Sequence, residues 1–365
     1  MKKLLVGLFI LICIVAVGYN AYRSEESAAT GKQKVYALLP LSGGIASVGE
    51  QIKKTIDFAM QKDEYPFEII YVDSESNPMK GLTALQAATI SQDKPIVLGA
   101  MSSVGSVVAP YIDKKGGFLF GIVSQSINAD VNSYQKITCS IKDILRPQID
   151  RILKTYKKLD IVYVVDEFGL AEKNHLVAEL KKNNFNNINE LAVPLNVSDP
   201  KNEVVKLLLT KPEAVIILGN PTLGYINLFK ELHLQGYKGD LLADEVLMNP
   251  FVQNSVQSYA NGTITLANMP DIETDLTKEQ KDLKESFERE GLRAYVVLIQ
   301  VIDALNLIKY TIENDLPFER KTYEDLRDWK NVAGDVVSFK DGESTYTPLL
   351  VKYFDGKFYL LEGEK

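Results

Sequence analysis

The sequence predicts an α/β protein built as two doubly wound parallel-sheet lobes. Short apolar runs alternate with helically spaced segments between residues 35 and 123, and the alternation restarts between residues 149 and 243. Such a rhythm belongs to parallel sheets covered by helices on both faces. The 365 residues, at about 150 per domain, hold roughly two domains. A chain that is 46% hydrophobic and 24% charged can bury cores and still keep a solvated surface.

The elements follow in order. Residues 35–39 (Val-Tyr-Ala-Leu-Leu) are apolar on both sides of the pleat and predict a buried strand. Ile52, Ile56, Ala59 and Met60 share one face of a helix over 52–60. Strand 67–72 and helix 82–90 come next, then strand 96–98, helix 104–112 and strand 118–123. In the second run, helix 149–156 leads into a central strand over 160–165, helix 176–180 and strand 189–193. Helix 204–209, strand 214–218, helix 223–234 and strand 241–243 complete it. After Pro270 the texture changes. A polar stretch precedes a long helix over 296–312 that is apolar nearly all round and therefore buried. The tail reads as a hairpin, 348–353 and 357–361 around Asp355-Gly356.

The N-terminus carries an export pattern. Met1-Lys2-Lys3 precedes an apolar run over residues 4–17, then Gly18-Tyr19-Asn20-Ala21. A run of roughly 14 residues falls short of the about 20 that a spanning helix needs. Residues 1–23 are therefore expected to be a signal peptide, or an uncleaved N-terminal anchor if residues 19–22 extend the span. Residues 24–33 read as a polar linker. The chain is expected to be exported and to sit in the periplasm or at the cell surface, with membrane contact only through this N-terminal segment. Ile12 stands before Cys13 where a lipoprotein signal wants a small residue. Cys139 is then the one cysteine of the mature part, so an internal disulfide is excluded, and it is expected to be a small buried residue.

Charge excludes one function class. The net charge is -7, with Lys and Glu interspersed, whereas a nucleic-acid protein needs clustered positive charge. Catalytic and cofactor signatures are equally sparse. Neither His175 nor His233 has a second ligand at metal spacing. No phosphate-binding loop and no dinucleotide fingerprint is present, so no cofactor is expected. Ser102-Ser103-Val104-Gly105 is a partial match to a nucleophile elbow, but Met101 stands where that turn needs Gly.

The informative loops follow strands, where open α/β sheets bind ligands. They are Pro40-Leu41-Ser42-Gly43-Gly44, the segment over 99–106, and Val123-Ser124-Gln125-Ser126. Ser103 before a helix either caps it or offers a hydroxyl and backbone N–H groups to an anion such as a carboxylate. In the second run, Asp244-Glu245 follows a strand, as a partner for an ammonium or as a solvated acid. Phe168, in Val165-Asp166-Glu167-Phe168-Gly169, is a core plug or an apolar ligand wall.

At these loops the sequence resembles the branched-chain amino-acid-binding family of type I periplasmic binding proteins. The residues that carry the likeness are Leu39-Pro40-Leu41-Ser42-Gly43-Gly44 with Val48-Gly49-Glu50, Val72-Asp73 with Asn77-Pro78, the segment 99–117, and Gly334 and the strand after it, with Asp341-Gly342. The likeness spans nearly all of residues 34–361. It implies two lobes joined by a multi-strand hinge, one made of 34–140 plus 270–335 and the other of 141–269 plus 336–365. It further implies that Ser103 and Ser126, helped by Ser102 and Ser124, bind a ligand carboxylate. Glu245, with Asp244, takes the ammonium, and Phe168 forms a wall. Val48 replaces the family's aromatic. The implied function is a monomeric solute-binding protein of an ABC importer, delivering an amino acid or a similar small ligand to a membrane permease, and not an enzyme. One rival is a membrane-anchored extracellular ligand sensor. Another is a hydrolase using Ser103, which lacks a histidine placed to act as its base.

Overall fold

The computed structural model describes residues 32–122, 132–346 and 348–361. The leader, the linker up to Gly31 and the loop with Val123, Ser124 and Ser126 lie outside the described residues.

Two sheets form the frame. In the first, β1 (Gln33–Leu39), β2 (Phe67–Asp73), β3 (Ile96–Ala100), β4 (Phe118–Ile122) and β5 (Tyr134–Lys136) run parallel in the order β2-β1-β3-β4-β5. The pleat of β1 explains why its sequence is apolar throughout. Val35, Ala37 and Leu39 pack toward α1 (Ala46–Lys62) with Ile52 and Ile56. Tyr36 and Leu38 pack on the other face with Leu85 of α2 (Pro78–Ala88) and Val104, Val108 and Ile112 of α3 (Ser102–Lys114). Asn77 caps α2 by accepting from the N–H groups of Met79 and Lys80, with Pro78 at the first helical position. This helix ends at Ala88, so Ile90, expected on it, is 80% exposed beyond its end.

The chain then crosses to the second sheet through α4 (Ile141–Thr155). Its elements are β6 (Leu159–Val164), α5 (Glu167–Lys182), β7 (Ile188–Val193), α6 (Lys201–Leu209), β8 (Ala214–Leu218), α7 (Leu223–Leu234) and β9 (Asp240–Ala243). A short 3-10 turn (Glu245–Met248), α8 (Pro250–Val256) and β10 (Ile264–Ala267) complete the run. Strands β7, β6, β8, β9 and β10 are parallel in that order. Between β9 and β10 the ladder is reduced to one register pair, Ile264 with Leu242. There the buried Gln148 of α4 donates to the carbonyls of both Ala243 and Ile264, each at 3.1 Å.

The chain returns to the first sheet with α9 (Lys278–Arg289), α10 (Val296–Glu313) and α11 (Arg320–Glu324). Phe287 of α9 meets Phe58 of α1 edge-on at 5.6 Å. Strands β11 (Trp329–Lys330), β12 (Val336–Lys340) and β13 (Glu343–Thr345) form a small antiparallel sheet. The tail supplies β14 (Leu349–Phe354) and β15 (Lys357–Leu360), which add antiparallel to β10 as the predicted hairpin. Asp355 and Gly356 turn it with φ of 47° and 81°, the left-handed pair that such a tight turn requires.

Residues 336–346 were expected in the second lobe; here Gly342 and β13 lie beside β5, and β12 pairs with β11 and β13. The Lys136 N–H donates to the Gly342 carbonyl at 2.8 Å, and the buried Lys136 ammonium pairs with Glu343 at 2.8 Å. Crossing segments lie side by side: Cys139 bridges to Ser344, and its thiol donates to the Tyr346 carbonyl at 3.1 Å. Burial pushes that thiol up to about 12. Cys139 is therefore the buried residue expected.

Candidate functional site

The C-terminal ends of β1 and β3 and those of β6, β8 and β9 open on one cavity of about 340 Å³. That volume lies within the range of small-molecule sites.

On the first-lobe wall, Asp73 shapes the opening loop. Its Oδ1 accepts from the N–H groups of Leu41 at 3.0 Å and Glu75 at 2.7 Å, and its Oδ2 from the Ser42 hydroxyl at 2.7 Å. Slight burial raises this carboxyl, but the bonds from Glu75, Ser42 and Leu41 hold it below its ordinary value. Pro40, Ile45 and Val48 thereby reach the cavity. Between β3 and α3, Met101 turns the chain with φ 75° and ψ 130°, a conformation costing about 1–3 kcal/mol in a residue with a Cβ. No side chain caps α3, and Ser102 and Ser103 form its first turn on the cavity wall. A helix N-terminus favours negative charge.

On the second-lobe wall, Asp166 caps α5, accepting from Gly169 N–H at 2.7 Å and from Asn220 Nδ2 at 3.1 Å, and burial raises its carboxyl. That cap fixes the first turn of α5, which sets Phe168 on the cavity. Phe168 is therefore part of the wall rather than a core plug. Glu245 begins the 3-10 turn after β9. It lines the cavity, and its Oε2 is buried without a hydrogen-bond partner. Burial, then the neighbouring Asp244, pushes it up to about 8.

Asp244 does not share this role. Fully buried behind the wall, it accepts from the Gly219 N–H at 2.7 Å, the Tyr225 hydroxyl at 2.7 Å and the Val246 N–H at 3.2 Å. The expectation that it helps take an ammonium gives way to a structural role, because its oxygens are already bonded inside the lobe. Burial pushes it up to about 7. Glu172 of α5, 1% exposed, lies with these two carboxyls and is held well above its ordinary value by burial and by Asp244.

The crossovers supply the floor. Gln300 of α10 donates to the Tyr346 hydroxyl at 2.6 Å, while its Oε1 is buried without a partner. Asn268, Thr138 and Asn249 border the same space.

Of the residues expected at the site, Val48, Ser102, Ser103, Phe168 and Glu245 line one cavity, and Ser124 and Ser126 lie outside the described residues. Asn220 and Thr222 were missed, although they follow strand β8 and obey the strand-end rule that picked the other loops. Gln300 was missed because its helix is apolar nearly all round. Among the described residues, no group of His, Cys, Asp or Glu could hold a metal ion, and no helix is long and apolar enough to cross a membrane.

A family model described as periplasmic binding protein matches residues 32–308. No curated protein sequence matches the chain significantly. Among solved structures, a solute binding protein of an ABC transporter from Rhodopseudomonas palustris BisB5, in complex with 3,4-dihydroxy benzoic acid, superposes with TM-score 0.77 at 17% identity, over 91% of this chain and 96% of that one. The branched-chain amino acid transporter substrate binding protein from Streptococcus pneumoniae, in complex with isoleucine, gives TM-score 0.76 at 13% identity, over 92% and 99%. An extracellular ligand binding receptor from Desulfohalobium retbaense gives 0.76 at 16% identity, and there the chain spans only 60% of the longer protein. At these identities the superpositions establish the two-lobe fold.

Proposed function

The chain belongs to the periplasmic binding protein family, whose members bind solutes rather than catalyse, and on that premise we propose that it captures an amino acid or amino-acid-like ligand outside the cytoplasm for an ABC importer. One observation carries the reading: a single cavity has the first turn of α3, with Ser103, on one lobe and the unpaired carboxyl of Glu245 on the other. A carboxylate suits the first wall and an ammonium the second. The isoleucine and the dihydroxybenzoic acid in the two relatives above both present a carboxylate, which supports the α3 end of this clamp.

Hinge closure follows from the division of labour. Only a ligand that bridges both lobes makes the closed state favourable. Each buried polar group left unpaired costs about 1–3 kcal/mol, which is the source of selectivity. In this reading the protein acts as a monomer, the closed form docks on a membrane permease, and the lobe division is that of the sequence with residues 336–346 moved to the first lobe.

The test is thermal unfolding of ligand-stripped protein against amino acids, short peptides, amides, sugars and aromatic acids. Ligand at a hundredfold over its Kd adds about 2.7 kcal/mol. Stabilisation by an amino acid that is reduced, at the same ligand concentration, in both Ser103→Ala and Glu245→Gln supports the clamp. Stabilisation only by ligands without an ammonium overturns the role of Glu245.

A further inference from the structure

The charges around the cavity are one-sided. Its described lining includes the carboxyls of Asp166, Glu167 and Glu245, with no Lys, Arg or His among them. Two buried acceptors on this lining have no partner, Oε2 of Glu245 and Oε1 of Gln300. Gln300 is 4% exposed on an otherwise apolar helix. Behind the wall, Glu172 adds another buried oxygen without a partner. Among the described residues, the site thus holds carboxyls with no basic side chain beside them and two buried acceptors that no donor reaches. An aliphatic amino acid brings one charge, cancelled by its own carboxylate, and its side chain offers nothing to Gln300.

We infer that the ligand carries a net positive charge: a basic amino acid whose nitrogen-bearing side chain supplies a second set of N–H donors, so that Glu245 and Gln300 are both satisfied. The inference rests on the amino-acid reading and names its substrate class. Phe168 borders the same space, and an aromatic ring there suits a cationic side chain. A carboxylate left buried without a counter-charge is costly, so the protein gains most from a ligand that brings one.

Isothermal titration calorimetry of the full-length protein with L-arginine, L-lysine, L-leucine, L-glutamate and putrescine tests this. The expected result is arginine or lysine binding at least tenfold tighter than leucine, with glutamate weakest. Gln300→Met should then weaken the basic ligand about tenfold and narrow its preference over leucine. Leucine binding as tightly as the basic amino acids overturns the inference and leaves the amino-acid reading standing. Putrescine, which has no carboxylate, binding as tightly as lysine overturns the carboxylate clamp and upholds the cationic class. No binding by any of the five overturns both. The wild-type comparison stands whether or not Gln300→Met folds.

Discussion

The Tyr225 hydroxyl donates to Oδ1 of Asp244 at 2.7 Å, one residue before the carboxyl that faces the cavity. The pair is buried on both sides, and with the Gly219 N–H it fixes the end of β9 from which Glu245 projects. A side chain that looks functional in sequence thus serves as the footing of its neighbour.

Removing that footing should be visible in stability. Tyr225→Phe deletes one buried donor to a carboxylate, for a loss of about 1–3 kcal/mol in urea unfolding. An unchanged midpoint would show that the bond contributes nothing.

Glu245→Gln should act in opposite directions on binding and on the unliganded fold. Affinity for an amino acid should fall by about tenfold or more, as expected when a charge-assisted bond is reduced to a neutral one. The unliganded variant should be more stable than wild type at pH 8.5, because no buried charge then forms. Paired calorimetry and urea melts check both directions.

Stability of the unliganded protein should fall as pH rises. Burial lifts Glu245 to about 8, Asp244 to about 7, Asp303 to about 7 and Asp271 to about 6. Between the ordinary carboxylate range near 4 and these values, the folded state holds protons that the unfolded chain has released. The slope of stability on pH is therefore negative across that window. Urea melts from pH 5 to pH 8.5 measure it, and an ammonium-bearing ligand should flatten it by stabilising the ionised Glu245.

Gly49→Ala should destabilise strongly. A Cβ there would stand 2.2 Å from the Pro40 carbonyl oxygen and 2.6 Å from its carbon, both rigid backbone. α1 must then move off the opening loop, at a cost of about 1–3 kcal/mol, with weaker ligand binding because Pro40 and Val48 line the cavity. Thermal melts and titrations of the variant report the two effects separately.

Ser103→Ala should leave the fold intact, within about 0.5 kcal/mol, since the residue is half-buried on a wall. Binding of a carboxylate ligand should weaken by about tenfold. Equal affinity would place the carboxylate elsewhere.

Much of the frame was legible because buried parallel strands such as 35–39 and 214–218 are apolar on both faces. Helix starts were less so. α1 begins after Ile45, which has no capping side chain, and α4 runs from Ile141 through Pro147, a residue that reads as a stop. β12 was legible only through the family likeness, as the strand after Gly334, because it buries just Val337 and Phe339 between charged and exposed neighbours. At the site, strand-end loops pointed to Ser103 and Glu245. Gln300 gave no local signal, because the use of a polar residue on a buried helix depends on what the fold sets opposite it.

The antiparallel partnership of β10 with β14 joins residues 264–267 to residues 349–352. The second lobe therefore cannot complete its sheet until residues 349–352 have left the ribosome. Pairings this distant in sequence form slowly, since loop closure precedes any gain from contact. Until that closure the second sheet lacks its two antiparallel strands, so the segment that crosses back from the first lobe decides when the second is finished.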